Sequence, residues 1–448
     1  MSRFNRVSES VVAPTFQEVA PLAPRPVVLV ESVNPIQRIG FVLLLVYLFA
    51  VASLLSETSI HAFGFKPYVT MIFGPLALAC VLASGGTRRT VGAAPGIWLI
   101  AFALWLVAVT PFSEWRSGSL ALVGVYYLKN LPTYFLVAAL VVSLQDFRRF
   151  AYMLAASAVA ILFIALAYGD DTGGRFAIDF GSFKNPNDFS THLVVLLPFV
   201  LFVGLNTRSL FPVRVLVGLL IAAIVFTIVQ TGSRSGAIGL AAVVGMIVLK
   251  ARPAQRVVFA VLFAIAAIGA FAILQSTLVQ RFETIFSSPS AQQSKSVHSD
   301  GTIGSNVGRL YLLRRSVELT AANPVFGVGP GQFVVAESGV AEKEGGHGIW
   351  LGTHNSYTEV SSETGLFGLI LFAGALGACM RATNRVYQKA RTRPECAQLS
   401  NLAYCLLASL SGFAVNILFC HMAYTYYLPM LTGMTVSLVL LARREIRA

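Results

Sequence analysis

"IGFVLLLVYLFAVASLL", Ile39 to Leu55, contains no charged residue. A run of roughly 17 to 25 apolar residues is what a helix needs to cross a hydrocarbon layer about 30 Å thick. Lipid offers no water to the backbone, so each N–H must find its acceptor within the segment, and the run is read as a helix. Moving outward, runs of this kind recur along the chain: Tyr68–Ser84, Gly96–Phe112, Leu120–Leu144, Phe150–Tyr168, Phe189–Leu205, Val213–Gln230, Ser235–Leu249, Val257–Leu278, Tyr357–Met380, Leu399–Cys420 and Tyr424–Ala442. A chain that is 56% hydrophobic and 12% charged, with mean hydropathy +0.73, is excluded from the ordinary soluble class. The expectation is an all-α polytopic membrane protein with about twelve transmembrane helices.

The basic residues orient it. With the N-terminal tail in the cytoplasm, most of the 33 Lys and Arg residues fall in inside segments: Arg88/Arg89, Arg148/Arg149, Arg208/Arg214, Lys250/Arg252/Arg256, the cluster Arg381 to Arg393, and the C-terminus. That is the positive-inside pattern. The net charge of +13 is then a topology signal, and no nucleic-acid partner is implied. The organisation expected is a mobile cytoplasmic tail (1–38), helices 1–9 (39–279), a large periplasmic loop (280–356), helices 10–12 (357–442) and a cytoplasmic C-terminus (443–448). Five cysteines without metal-type spacing imply neither a disulfide framework nor a metal centre.

Within the loop, Ser287–Ser305 is low in apolar residues and reads as flexible. In "NVGRLYLLRRSVELTAAN" the residues Val307, Leu310, Leu313 and Val317 recur at helical spacing, which predicts an amphipathic helix near the membrane face. "GVGPGQF" (Gly327–Phe333) follows as a tight turn; it lacks the Lys-Ser/Thr of a phosphate-binding P-loop. Asp170-Asp171 is too isolated to hold a divalent metal.

Chemistry gathers on the outer side. Arg175 in "GGRF", Arg234 in "TGSRSG" and Arg309 in "NVGRL" stand beside small or polar residues at helix ends or in the loop, joined by Lys184, Asn185 and Asn187 of "KNPNDF". Guanidinium groups suit a phosphate or diphosphate because they stay charged and present a two-pronged donor. Helix starts after "KNPND" and "TGSRS" would add N–H dipoles. Each arginine alone reads equally as a snorkelling charge. Lys129, beside Asn130 inside an apolar run, is a functional candidate by its position, or a snorkelling residue. His354 precedes a helix in "GTHNSYTEVSSETGLFG" and could take a proton from a sugar hydroxyl, or could cap that helix together with Asn355. Glu359 and Glu363, four residues apart, form a like-charge pair whose cost suggests that one meets a cation or an acceptor molecule.

"HNSYTEVSSETGLFGLILF" resembles the His-Asn-x-Tyr…Glu-x-Gly-x-x-Gly signature of the superfamily of O-antigen ligases and of O-antigen and exopolysaccharide polymerases, which are polytopic membrane glycosyltransferases. "NPVFGVGPGQF", "KNPNDF" and "TGSRSG" are similar to its Gly-rich, Asn-Pro-Asn and Ser-Arg-Ser/Gly elements; Thr358 departs from the usual apolar residue. The resemblance implies transfer of a glycan from an undecaprenyl-diphosphate donor to a glycan or lipid A-core acceptor, without cofactor or metal, at the periplasmic face of the bacterial inner membrane. A chain-length regulator is a further partner it implies, beside the membrane lipids. Carried over, Arg175, Arg234 and Arg309 hold the diphosphate and His354 activates the acceptor hydroxyl. Asn355, Tyr357, Glu359 and Glu363 fall within the same signature as substrate-binding candidates. Two rivals remain: a small-anion carrier of bicarbonate type, with Lys129 near its path, and a scaffold that binds lipid-linked glycan without turnover.

Overall fold

The computed structural model describes residues 34–171, 175–206, 210–250, 256 and 306–446. Eight of its helices are long and apolar enough to cross a membrane, which makes the chain an integral membrane protein. The expected run Val257–Leu278, the tail up to residue 33 and the first part of the long loop lie outside the described residues.

The opening run forms α1 (Pro35–Ala52), capped by the Asn34 side chain, which accepts from the Ile36 N–H at 3.0 Å. There follow α2 (Leu55–Phe63), α3 (Val69–Ala83), α4 (Ala94–Val109), the interrupted α5 (Arg116–Leu140) and α6 (Leu144–Tyr168). α5 passes through a π-helical stretch, Leu122–Tyr127, just before Lys129 and Asn130. A short antiparallel pair, β1 (Gly169–Asp171) and β2 (Phe176–Ile178), pairs Gly169 with Ile178. Then come α7 (Pro186–Asn206), α8 (Phe211–Gln230), α9 (Arg234–Lys250), α10 (Asn306–Ala322), α11 (Phe333–Lys343), α12 (Ser356–Ala390), α13 (Ala397–Asn416) and α14 (Tyr427–Glu445).

Three expected spans are helices that are shorter or more polar than these eight: α3 has 15 residues, α9 has 17, and α14 has 19 but is more polar. α7 and α13 are the most thoroughly buried and pack against each other at the centre, whereas α8 exposes Leu216 and Leu219 on its outer side. Such a face suits lipid, where apolar exposure carries no cost. The buried histidine of α7 finds its partners inside the bundle: both ring nitrogens of the fully buried His192 are engaged, by Tyr427 Oη at 2.9 Å and the Ala52 carbonyl at 2.8 Å.

The two ends of the bundle differ. At one end lie the starts of α7, α9, α12 and α14, with the finishes of α1, α6, α8 and α13; Arg175 donates to the Thr231 carbonyl and Ser356 N–H to the Ile417 carbonyl there. At the other end lie basic residues of the sequence pattern that the structure describes, where Arg443 donates to the Gly92 carbonyl at 2.8 Å and Lys250 to Asn384 at 3.0 Å.

The span expected at Tyr357–Met380 is not one helix. Gly365 sits at φ 73°, ψ 179°, a conformation open essentially to glycine alone, and it breaks α12. The carbonyls released by the break are taken by the Gly-rich turn: Val328 N–H donates to Ser362 and Gly329 N–H to Glu363, both at 2.9 Å, while Trp105 donates to Thr364 at 2.9 Å. Leu366 N–H in turn reaches the Pro324 carbonyl at 2.8 Å. Irregular backbone at membrane depth persists only where protein supplies the missing partners. Gly365→Ala should therefore destabilise the fold by about 1–3 kcal/mol or more, because its Cβ would press on the Val325 carbonyl in a region closed to alanine. A melting transition unchanged from wild type would contradict this.

Candidate functional site

The helix expected in the long loop exists, but its buried stripe is a different one. Leu312 and Leu319 are buried together with Ser316 against Val328 and Phe333, whereas Leu310 and Val317 are 66% and 55% exposed. The helix carries two apolar stripes, and the one with small Ser316 allows close approach to α12, where Thr320 Oγ1 meets Ser361 Oγ at 2.9 Å. Arg315 ties α10 to the segment after α11 through Glu344, and pairs with Glu318 at 3.0 Å. Its guanidinium is held above its ordinary pKa by the hydrogen bond to Glu344 first and the Tyr311 hydroxyl next. Arg309, one and a half turns earlier, is half-buried and its charge acts on His354.

His354 has a left-handed backbone, φ 51°, a strained state for a residue with a side chain. Its ring centroid lies 5.2 Å from that of His421, edge to face. Ser356 produces this pairing: its N–H donates to the Ile417 carbonyl at 2.8 Å, its hydroxyl donates to the Cys420 carbonyl at 2.7 Å and accepts from Met422 N–H at 2.7 Å. The α13–α14 connection is thereby bound to the start of α12 with His421 facing His354. Burial first, then the charges of His421 and Arg309, push the His354 imidazole down to about 4, so it is neutral near pH 7.

His421 continues into a cavity of about 730 Å³ that Lys129, Asn130, Asp188, Tyr126 and Tyr426 also line. Asp188 and His421 are close enough for their charges to interact. Lys129, midway along α5, thus shares a chamber with His421 and two acids, Asp188 and Glu57. Glu359 lies near Tyr126 and the Ala423 backbone, and its Oε2 is buried with no partner among the described residues.

The acidic pair divides. Glu363 accepts from Gly331 N–H at 2.7 Å, Phe333 N–H at 3.2 Å and the Tyr424 hydroxyl at 2.7 Å. It meets hydrogen-bond donors rather than a cation, and it fastens the Gly-rich turn to the bundle. Asn130 Nδ2 donates to the Tyr424 carbonyl at 3.1 Å, which ties this clamp to the cavity wall.

Arg175, Asn187 and the Ser233 turn form a second group. Arg175 donates to Asn187 Oδ1 at 2.9 Å and the Thr231 carbonyl at 3.3 Å; Ser233 Oγ donates to the same Asn187 oxygen at 2.8 Å. Asn185 Oδ1 accepts from Asn187 N–H at 2.9 Å and Ser233 Oγ from Gly236 N–H at 3.1 Å, so the N–H groups expected to receive an anion at these helix starts are partly used by side-chain caps. Arg234, the first residue of α9, is half-buried beside this group. Cys420 joins the two groups: its Sγ lies 3.7 Å from Ser235 Oγ and 3.6 Å from Thr191 Oγ1, and the Arg309 charge acts on it. Lys184 is not brought in; it is exposed and pairs loosely with Asp179 at 3.9 Å. Asn355 caps α12 by accepting from Tyr357 and Thr358 N–H at 2.9 and 3.2 Å, and Tyr357 donates to the Ala414 carbonyl at 3.0 Å.

Sequence reasoning passed over His421 and Asp188. Both had a signal: His421 stands in the brief break "CHMAYTYY" between two apolar runs, and Asp188 directly follows Asn187 in the first turn of an apolar helix. No group of three or more His, Cys, Asp or Glu side chains arranged for a metal occurs among the described residues.

Residues 219–373 match the family model described as O-antigen ligase, and the resemblance read from the motifs is borne out. The matched stretch runs from α8 through the Ser-Arg-Ser turn and α10 to just past the break in α12, and so contains Arg234, Arg309 and His354. A search of the curated proteins found no match.

Proposed function

We propose that this integral membrane protein, as a chain carrying an O-antigen ligase segment, transfers or polymerises a glycan held on a lipid diphosphate during assembly of cell-surface polysaccharide. The observation that carries the reading is the meeting of His354, His421 and Arg309 beside a cavity that also holds Lys129 and Asp188. An acceptor hydroxyl attacks the anomeric carbon, the bond to the diphosphate oxygen breaks, and the electron pair leaves on the diphosphate. His354 Nδ1 or Nε2 takes the hydroxyl proton. Arg309 and Arg234 stabilise the departing charge, a contribution that commonly dominates such catalysis. Arg175, tied to Asn187 and Thr231, positions the turn that presents Arg234. The open Oε2 of Glu359 is the acceptor for a sugar hydroxyl, and the diphosphate, once bound, offsets the Arg309 charge that depresses His354 and makes it a better base.

The basic residues gather at the end of the bundle opposite this site, which supports a periplasmic location under the positive-inside pattern. A small-anion carrier would place its site between two related halves of the bundle; here the cavity that holds Lys129 also holds His421, which faces His354. Undecaprenyl diphosphate is the donor lipid that fits, with a glycan or lipid A-core acceptor. Reconstituted protein supplied with undecaprenyl-diphosphate-linked glycan should release undecaprenyl diphosphate, and Arg309→Ala should slow release by about 10²–10³-fold. Release at the wild-type rate from Arg309→Ala, or binding of donor without release by the wild-type chain, would overturn the assignment.

A further inference from the structure

At the opposite end of the bundle a second cavity, of about 480 Å³, opens between the start of α4 and the finishes of α12 and α14. Four basic side chains line it: Arg381, Arg385 and Lys389 of α12, and Arg443 of α14. No acidic residue lines it. Arg381, Arg385 and Lys389 follow one another at intervals of four, on one face of the helix, where like charges repel and weaken it. None of the three has an ion-pair partner among the described residues, and all three are exposed. α4 enters the same cavity with Ala93 at its N-cap, a residue whose side chain cannot cap, so the positive end of the helix faces the cations. Below this charged rim the wall becomes apolar, with Trp98, Ala378 and Val439.

A wall that is cationic at a helix end and apolar one turn deeper fits a molecule with a negative head and a hydrocarbon body. Basic pockets between helices at a cytoplasmic membrane surface take anionic lipid headgroups on this principle. We infer that this cavity binds the phosphate of an anionic phospholipid, with Arg381, Arg385, Lys389 and Arg443 around the headgroup and the acyl chain against Trp98 and Val439. The bound anion offsets the repulsion along α12 and ties α12 and α14 together at the end remote from His354. Free inorganic phosphate would satisfy the same cations but not the apolar wall, and that separates the two sources.

The full chain, purified in a neutral detergent, is titrated with phosphatidylglycerol, phosphatidylcholine and sodium phosphate, and bound lipid is counted by native mass spectrometry. Phosphatidylglycerol should bind on the order of tenfold or more tightly than phosphatidylcholine. Replacing Arg381, Arg385 and Lys389 together by Gln should remove that preference, while Arg381→Lys with Arg385→Lys should keep it. Gln retains helix propensity, and the melting transition without lipid checks that the variant is folded. Sodium phosphate should not displace the lipid. Equal binding of both lipids, or an undiminished preference in the Gln variant, overturns the site. Saturable binding of phosphate that the Gln variant loses, without any preference for phosphatidylglycerol, overturns the lipid as occupant. Turnover at the His354 end is measured in parallel, so failure of the proposed transferase activity does not affect this outcome.

Discussion

His354→Ala should lower glycan transfer by about 10²–10⁴-fold, the range that a positioned general base contributes, while the protein still inserts and melts as the wild type does. The pH dependence identifies the role more sharply than the loss alone. Because His354 is pushed down to about 4 by burial, His421 and Arg309, the acid limb of kcat/KM for the free protein should fall near that value rather than near 6.5. Arg309→Ala removes one of these causes and should move the limb upward. The same depression affects stability: between 6.5 and about 4 the unfolded chain binds the proton and the folded chain does not, so stability is full above 6.5 and declines as pH falls towards about 4. An acid limb near 6.5 that Arg309→Ala leaves in place would remove His354 from the proton-transfer role.

Glu363→Ala should be the most damaging single change to the fold of this region. It leaves Gly331 N–H, Phe333 N–H and the Tyr424 hydroxyl without an acceptor. Each buried donor left unpaired costs about 1–3 kcal/mol, so a loss of at least about 3 kcal/mol is expected for the three, concentrated in the attachment of the Gly-rich turn. Amide exchange across residues 324–343 should accelerate in step with the fall in melting temperature. Glu359→Gln provides the contrast. Its Oε2 has no partner among the described residues, so stability should change little while transfer falls. If Glu363→Ala melts as the wild type does, or if the two variants behave alike, the division of the acidic pair into a clamp and a substrate contact is wrong.

Much of the architecture is a local property of the chain. Ile39–Leu55 can only be a helix in lipid, and α1 is one; Asn34, Asn185 and Asn355 sit where caps belong and accept from the N–H groups that caps serve. Hydropathy and capping act over one segment at a time, and so the segments can be read in order. The candidacy of Arg234 and Asn187 was visible for a different reason, because both stand in polar breaks between apolar runs on one predicted side; the resemblance to O-antigen ligases added the substrate class. What no single segment contains is the partner of a side chain sixty residues away. Ser356 and Cys420 bring His421 to His354; Gly365 breaks a run that hydropathy reads as continuous, because the Gly-rich turn replaces the hydrogen bonds lost there. The chain alone thus determined which segments enter the membrane and which polar residues were candidates for chemistry. Tertiary packing decided which candidates meet, since only contacts between helices could divide the acidic pair, giving Glu363 to the turn and leaving an oxygen of Glu359 open.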